Sequence, residues 1–306
     1  TAIRVLLDAE GTEPVTDALL ERLGHRDECR MVLLPVEATV PRIEEPEKDD
    51  GDTPAGSDEG EETDSRPTPS IRISREELYE DLASGTRLTL SYAIMVFLST
   101  VVAAVGLIRN DVAIIIGAMV IAPLLGLNIA LSFASTLGDS ALARRALTTM
   151  AAGFVIAGVV SVALGMVLDV DPAAPEIAAR TSASLGNIAL ALAAGAAGSL
   201  AFTTGVPAVL VGVMVAVALL PPLTTAGLLA GGGQWQPALG ALLLLLTNIA
   251  SINLAAMGTF LAHRIQPRTW WEAERAKKAR RVTIVAWAIT LVVLAGLIAL
   301  EGVGTI

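Results

Sequence analysis

The chain has 306 residues, of which 53% are hydrophobic, with a mean hydropathy of +0.64 and a formal net charge of −10. This composition excludes an ordinary soluble domain and points to an integral membrane protein. A single cysteine, Cys29, excludes an intrachain disulfide and a cysteine-based metal site.

The negative charge is local. Eleven acids lie between Glu44 and Asp64 with Lys48 as the only base, and acids and bases balance elsewhere. Lysine occurs only at Lys48, Lys277 and Lys278, whereas arginine is plentiful. An acid-rich, lysine-poor chain suits a salt-loving cytoplasm; high-GC codon bias gives the same composition.

Residues 1–43 predict a small cytoplasmic βαβ unit: a strand at Ile3–Leu7, a helix from Pro14 to Leu23, and a strand at Met31–Leu34. One such unit buries too little surface to stand alone, so it is expected to pair with another copy or to dock. No secretory signal is expected from this stretch, since Ile3–Leu7 is too short for the apolar core of one and is soon followed by Asp8 and Glu10. Residues 44–73 read as an acidic, disordered linker rich in Pro, Gly, Ser and Thr. A pre-membrane helix is predicted over 74–86, with Ser74 and Glu77 forming a capping box.

Seven spans are predicted over 88–108, 112–136, 147–168, 184–203, 206–230, 237–262 and 282–300. No Asp, Glu, Lys, Arg or His occurs from Thr181 to Ala262, a stretch that three bilayer crossings explain. The basic loop 263–281 carries Arg264, Arg268, Arg275, Lys277, Lys278, Arg280 and Arg281, which sets it in the cytoplasm. Alternation then places the N-terminus and an Arg144-Arg145 loop inside, and the acidic loop Asp169–Glu176 and the C-terminus outside. The expected location is the cell (inner) membrane. Trp270 and Trp271, with Lys277, Lys278, Arg280 and Arg281, suit a helix at the lipid interface, where simple anchoring or a regulatory lipid or partner site would fit.

The segment Val112–Leu147 is echoed ninety-five residues later by Pro207–Leu242. Ala113, Gly117, Met119, Val120, Leu124, Leu125, Gly138, Ala143, Ala146 and Leu147 meet identical residues at 208, 212, 214, 215, 219, 220, 233, 238, 241 and 242. The second span runs inward and the fifth outward. The fold class expected is therefore an all-α polytopic bundle with an inverted three-plus-three repeat (88–168 and 184–262), a seventh helix and the N-terminal α/β unit.

Proline interrupts both copies, at Pro123 and at Pro221-Pro222. Proline removes a backbone donor and frees carbonyls, and in lipid such breaks persist where protein or a hydrated cavity surrounds them. One reading is a pair of discontinuous helices holding an ion or small solute near the midplane; the other is two packed kinks. Asn128, Thr224 and Thr225 lie near the breaks, and Thr247, Asn248, Ser251 and Asn253 lie on the sixth span. Buried asparagine needs hydrogen bonds, so these groups should face the bundle interior, as a polar lining or as interhelical glue. Asn248 should share a face with Ser251 rather than with Asn253.

Small residues recur at four-residue spacing on the third span (Gly153, Ala157, Ser161, Gly165) and on the fourth (Asn187, Ala191, Gly195, Ser199, Thr203). They allow close helix packing or subunit contact. No span contains an acid, a base or a thiol nucleophile, so neither an enzyme nor a carboxylate-coupled ion pump is expected. His25 and His263 are far apart, and no P-loop, zinc-protease helix or nucleophile elbow occurs. No metal, cofactor or nucleic acid is expected. The expected partners are the lipid bilayer, other copies of the chain in a homo-oligomer, and a small solute or ion.

The runs Ile116–Leu125 (IGAMVIAPLL), Val211–Pro222 (VGVMVAVALLPP) and Leu246–Asn253 (LTNIASIN) closely resemble a prokaryotic hydrophobic membrane family, domain of unknown function 389. The resemblance covers about Leu88 to Ala262 and is strongest to archaeal halophile members. Members commonly carry a small cytoplasmic α/β domain ahead of the membrane part, here abbreviated to one βαβ unit. The resemblance implies the fold and no activity. Two functions follow as expectations: a transporter or channel-like protein for a small solute, or a non-transporting scaffold or sensor that oligomerises through its small-residue faces.

Overall fold

The structure, a computed structural model, describes residues 75–204, 219–263, 265 and 270–303, with Val15, Ala18, Leu19 and Arg22. Its contacts divide the chain into two units, Thr1–Ile71 and Arg72–Ile306. The four described residues of the first unit are helical and fall in the stretch read as a helix. The two flanking strands and the acidic linker lie outside the described residues.

Every regular element described in the second unit is an α-helix. In chain order these are α1 (Arg75–Gly85), α2 (Leu90–Arg109), α3 (Val112–Ile121), α4 (Leu124–Leu137) and α5 (Ser140–Val167). They continue with α6 (Pro175–Ala178), α7 (Leu185–Thr204), α8 (Leu220–Gly231), α9 (Trp235–Ala262) and α10 (Trp270–Val303). Among the described residues, five helices are long and apolar enough to cross a membrane, or six if α3 and α4 form one bent span. The outward face of α5 bears Val155 at 65% and Met166 at 71% exposure, apolar surface that suits lipid and not water.

The helix ends follow from local chemistry. The Thr89 hydroxyl caps α2 by accepting from the Tyr92 N–H at 3.1 Å. Asn110 stops α2 in the left-handed conformation (φ 59°), and Asp111 at once caps α3 by accepting from the N–H groups of Ala113 and Ile114. Gly138 (φ 74°) and Asp139 repeat this stop-and-cap between α4 and α5. Consequently α5 begins at Ser140, before the predicted 147, and Arg144-Arg145 are helical rather than in a loop. The basic segment is corrected likewise: from Trp270 it is one helix with the seventh span, because no Gly or Pro interrupts 268–295. Of the predicted fifth span, α8 is the described part.

Outside the spans, α1 is held by Leu78 and Leu82, both buried, and by Tyr79, whose ring lies 6.4 Å from that of Phe133 on α4. The Tyr79 hydroxyl donates to Asp139 Oδ2 at 2.8 Å. That bond, then burial and the carboxylate's charge, hold the phenol above its usual pKa.

The bundle is organised by two long helices, α5 and α9. Both α4 and α8 pack against each of them; α2 packs on α5, and α7 on α9. Helix α10 packs against α9 and α4, and among its described side chains only Leu294 and Ile298 are buried. The small-residue stripes sit in these contacts. A Cβ on Gly165 would collide with the Leu228 carbonyl of α8, and one on Gly231 with the Val162 carbonyl of α5. Ser161 fills the space over Gly227, Gly153 makes room for the Tyr92 hydroxyl, and Ala157 is fully buried. On α7, a Cβ at Gly195 would lie 2.6 Å from the Ile252 carbonyl oxygen, and Ala191 and Ser199 are buried.

The substitution Gly165→Val should therefore lower stability by about 1–3 kcal/mol or more, because backbone cannot yield as a side chain can. Gly158→Ala, whose new methyl would meet open space, should be close to neutral. Thermal unfolding of both variants in detergent checks the difference.

Candidate functional site at the helix breaks

At the first break, proline dictates the geometry. Ala122 is extended (φ −71°, ψ 119°), as a residue preceding proline prefers, and Pro123 opens α4 with no side-chain cap. The axes of Val112–Ile121 and Gly126–Leu137 bend by 51°. Pro123 has no N–H to return to the carbonyl one turn back, so the ladder ends there. The first turn of α4 is buried at Leu124 and Leu127, with its N–H groups uncapped by any side chain.

At the second break, α8 starts at Leu220 with Pro221 and Pro222 in its first turn, where absent N–H groups leave nothing unsatisfied. It too has no side-chain cap, and Leu219 to Thr225 are all buried. The residues before Leu219 lie outside the described residues.

Most polar side chains in the spans satisfy themselves locally. The hydroxyls of Thr100, Ser161, Ser199, Thr247 and Ser251 donate to carbonyls four residues earlier, at 2.7–2.9 Å. A three-residue network does something different. Asn253 on α9 donates one amide hydrogen to the Ile249 carbonyl at 2.9 Å and the other to Asn128 Oδ1 on α4. Asn253 Oδ1 accepts from Ser132 at 2.8 Å, and Ser132 also lies 3.0 Å from the Asn128 carbonyl oxygen. All three side chains are completely buried. Asn253 is thereby satisfied on both sides and ties α9 to α4.

Among the described residues, three buried side-chain atoms have no partner: Asn128 Nδ2, Thr224 Oγ1 and Thr225 Oγ1. All belong to the helices that start at the two breaks, and both helices are bracketed by α5 and α9. Leaving such a group unsatisfied costs about 1–3 kcal/mol.

The structure thus joins Asn128 to Asn253 and buries Pro222, Thr224 and Asn248 within the same bundle. Ser132 was not among the expected residues; its signal was its position one turn after Asn128, on the same face. Trp270, Trp271, Lys277, Lys278, Arg280 and Arg281 all fall in α10, and the side chains of the first four lie outside the described residues. No group of His, Cys, Asp or Glu among the described residues could hold a metal.

A family model described as Domain of unknown function (DUF389) matches residues 119–254, a range that takes in both breaks and the Asn128–Asn253 pair. An uncharacterised protein of Methanocaldococcus jannaschii is 37% identical over 287 residues, covering 94% of this chain and 84% of that protein. No solved structure matches the chain.

Asn253→Leu leaves the whole Asn128 side chain without a partner, while Ser132 keeps the Asn128 carbonyl; Asn128→Leu strands one Asn253 amide hydrogen but also removes the unpartnered Nδ2. The Asn253 variant should be the less stable by about 1 kcal/mol. Equilibrium unfolding in mixed micelles, comparing the two, measures that gap.

Proposed function

The chain belongs to the DUF389 family, and for this member we propose a transporter or channel-like protein that passes a small solute or ion through a site between the proline-broken helices. The observation that carries this reading is the set of three orphaned polar atoms on α4 and α8, within a bundle whose other polar groups are mostly paired. A folded bundle keeps such groups when water or a solute completes them. Asn128, Thr224 and Asn248 would line the site with Asn253, and Pro123, Pro221 and Pro222 would open the backbone to it.

An inverted repeat underlies this proposal. It is supported by the mirrored packing, in which α4 meets α5 and α9 as α8 meets α9 and α5. The left-handed stops at Gly138 and Gly233 also stand ninety-five residues apart, like the sequence echo. Seven spans result if 206–218 completes the crossing that α8 finishes. The basic residues favour a cytoplasmic N-terminus and an external C-terminus. The proposed activity involves no covalent chemistry by the protein. A non-transporting scaffold is the other reading, but the small-residue faces that would serve its assembly are filled by helices of the same chain.

Aqueous accessibility tests the site. In a Cys29→Ser background, Asn128→Cys, Thr224→Cys and Asn248→Cys are each exposed to membrane-impermeant thiol reagents from either side. Labelling of Asn128→Cys and Thr224→Cys is expected. Protection at all three positions in folded protein means a dry core, and the transport reading is then abandoned.

A further inference from the structure

A second polar feature lies away from the breaks, where α2 and α5 begin. Residues Thr86, Arg87, Leu88, Arg145, Thr148 and Thr149 line a shallow, largely open cavity of about 500 Å³. Its floor is tied down. The Thr149 hydroxyl donates to the Thr86 carbonyl at 2.8 Å, Thr86 donates to Ala83, and the Tyr92 hydroxyl donates to the Thr149 carbonyl at 3.1 Å. Thr86 and Thr149 are buried, so the short connection between α1 and α2 is held against α5 and not left to move. The Thr148 hydroxyl is likewise engaged, donating to the Arg144 and Arg145 carbonyls.

The threonine protons are therefore used, and the cavity's free donors are the guanidinium groups of Arg87 and Arg145. Both are exposed, and neither forms an ion pair among the described residues. The nearby carboxylate of Asp139 is engaged in capping α5 and accepting from Tyr79. Two forked, permanently charged donors on one cavity match a phosphate group, whose oxygens accept in pairs. The apolar side of the cavity is as telling. Leu88 lines it at 59% exposure, and Leu90, at 78%, opens the apolar span α2 beside it.

We propose that this cavity binds the phosphate of an anionic phospholipid, with Arg87 and Arg145 gripping the headgroup and Leu88 and Leu90 lying along the start of an acyl chain. None of the lining residues belongs to the breaks, and the site stands whether or not the breaks carry a solute. Bound lipid would clamp α2 to α5, the helix against which both broken helices pack.

The test uses the full chain reconstituted in vesicles of phosphatidylglycerol and phosphatidylcholine, extracted in mild detergent and weighed by native mass spectrometry. The natural chain should retain phosphatidylglycerol over phosphatidylcholine. Arg87→Gln and Arg145→Gln should each reduce that retention roughly fivefold, and the pair should abolish it. Arg109→Gln, at the opposite end of α2, should leave it unchanged. Equal retention by the natural chain and the double variant, or equal loss in Arg109→Gln, overturns the proposal. If the double glutamine variant misfolds, Arg87→Lys with Arg145→Lys keeps the charge but loses the forked grip, and it should still lose selectivity. A titration with inorganic phosphate separates the sources. Displacement of lipid only by other anionic lipid supports a headgroup; saturable, arginine-dependent phosphate binding without lipid retention keeps the chemistry but overturns the lipid.

Discussion

Polar groups in an apolar bundle must find their partners inside the protein, and this constraint shapes the described structure. Lipid offers no hydrogen bonds, so a span that begins or ends carelessly leaves donors and acceptors exposed to hydrocarbon. The chain answers with caps at the ends: Thr89, Asp111 and Asp139 each take the first free N–H groups of a helix. Along the spans, most serines and threonines return their protons to their own helix, as Thr100, Ser161, Thr247 and Ser251 do. Where asparagine appears, it is built into a network, as Asn253 is between Ile249, Asn128 and Ser132. The acids at the span edges thus have a structural role, which explains charge at the ends of helices whose centres carry none.

Close packing is the second consequence. With no water to expel between helices in a bilayer, contact itself must supply the attraction, and small residues let backbones meet. Gly165 and Gly231 bring α5 onto α8, and Gly195 brings α7 onto α9, near enough that a methyl group would strike backbone. These contacts turn α5 and α9 into a frame. The proline-started segments α4 and α8 are the parts that lie between the frame's two members. An interrupted helix has fewer bonds of its own, so its position depends on neighbours that do not give way.

Much of this was legible in the sequence, for identifiable reasons. Proline carries its own geometry, so the interruption at Pro123 could be read directly, and Pro221 and Pro222 fall in the first turn of α8. Charge-free apolar runs of span length announce crossings, and α2, α7 and α9 lie within a few residues of their predicted limits. The errors came where a local signal was weaker than its context. Arg144 and Arg145 suggested a loop, but the cap at Asp139 had already started the helix. The basic run before Arg281 suggested a loop too, although its composition favours a helix continuous with the next span. The pairing of Asn128 with Asn253, 125 residues apart, could not be read at all, because periodicity reports a residue's face and not its partner.

Neither a kink nor an unsatisfied atom would mean much alone. Proline kinks are commonly absorbed by packing, and a single buried hydroxyl without a partner is a modest penalty. Here three such atoms, among the described residues, fall on the two helices that begin at prolines. At about 1–3 kcal/mol each, they amount to a sizeable share of the roughly 5–15 kcal/mol by which a typical folded domain is stable. Apolar residues of similar shape would remove that penalty without disturbing the packing, as Val would in place of Thr224 or Thr225. The chain instead keeps hydroxyl and amide groups where the backbone ladder is already open. A packed kink needs the proline and its neighbours; it does not need the polar groups, and a site does.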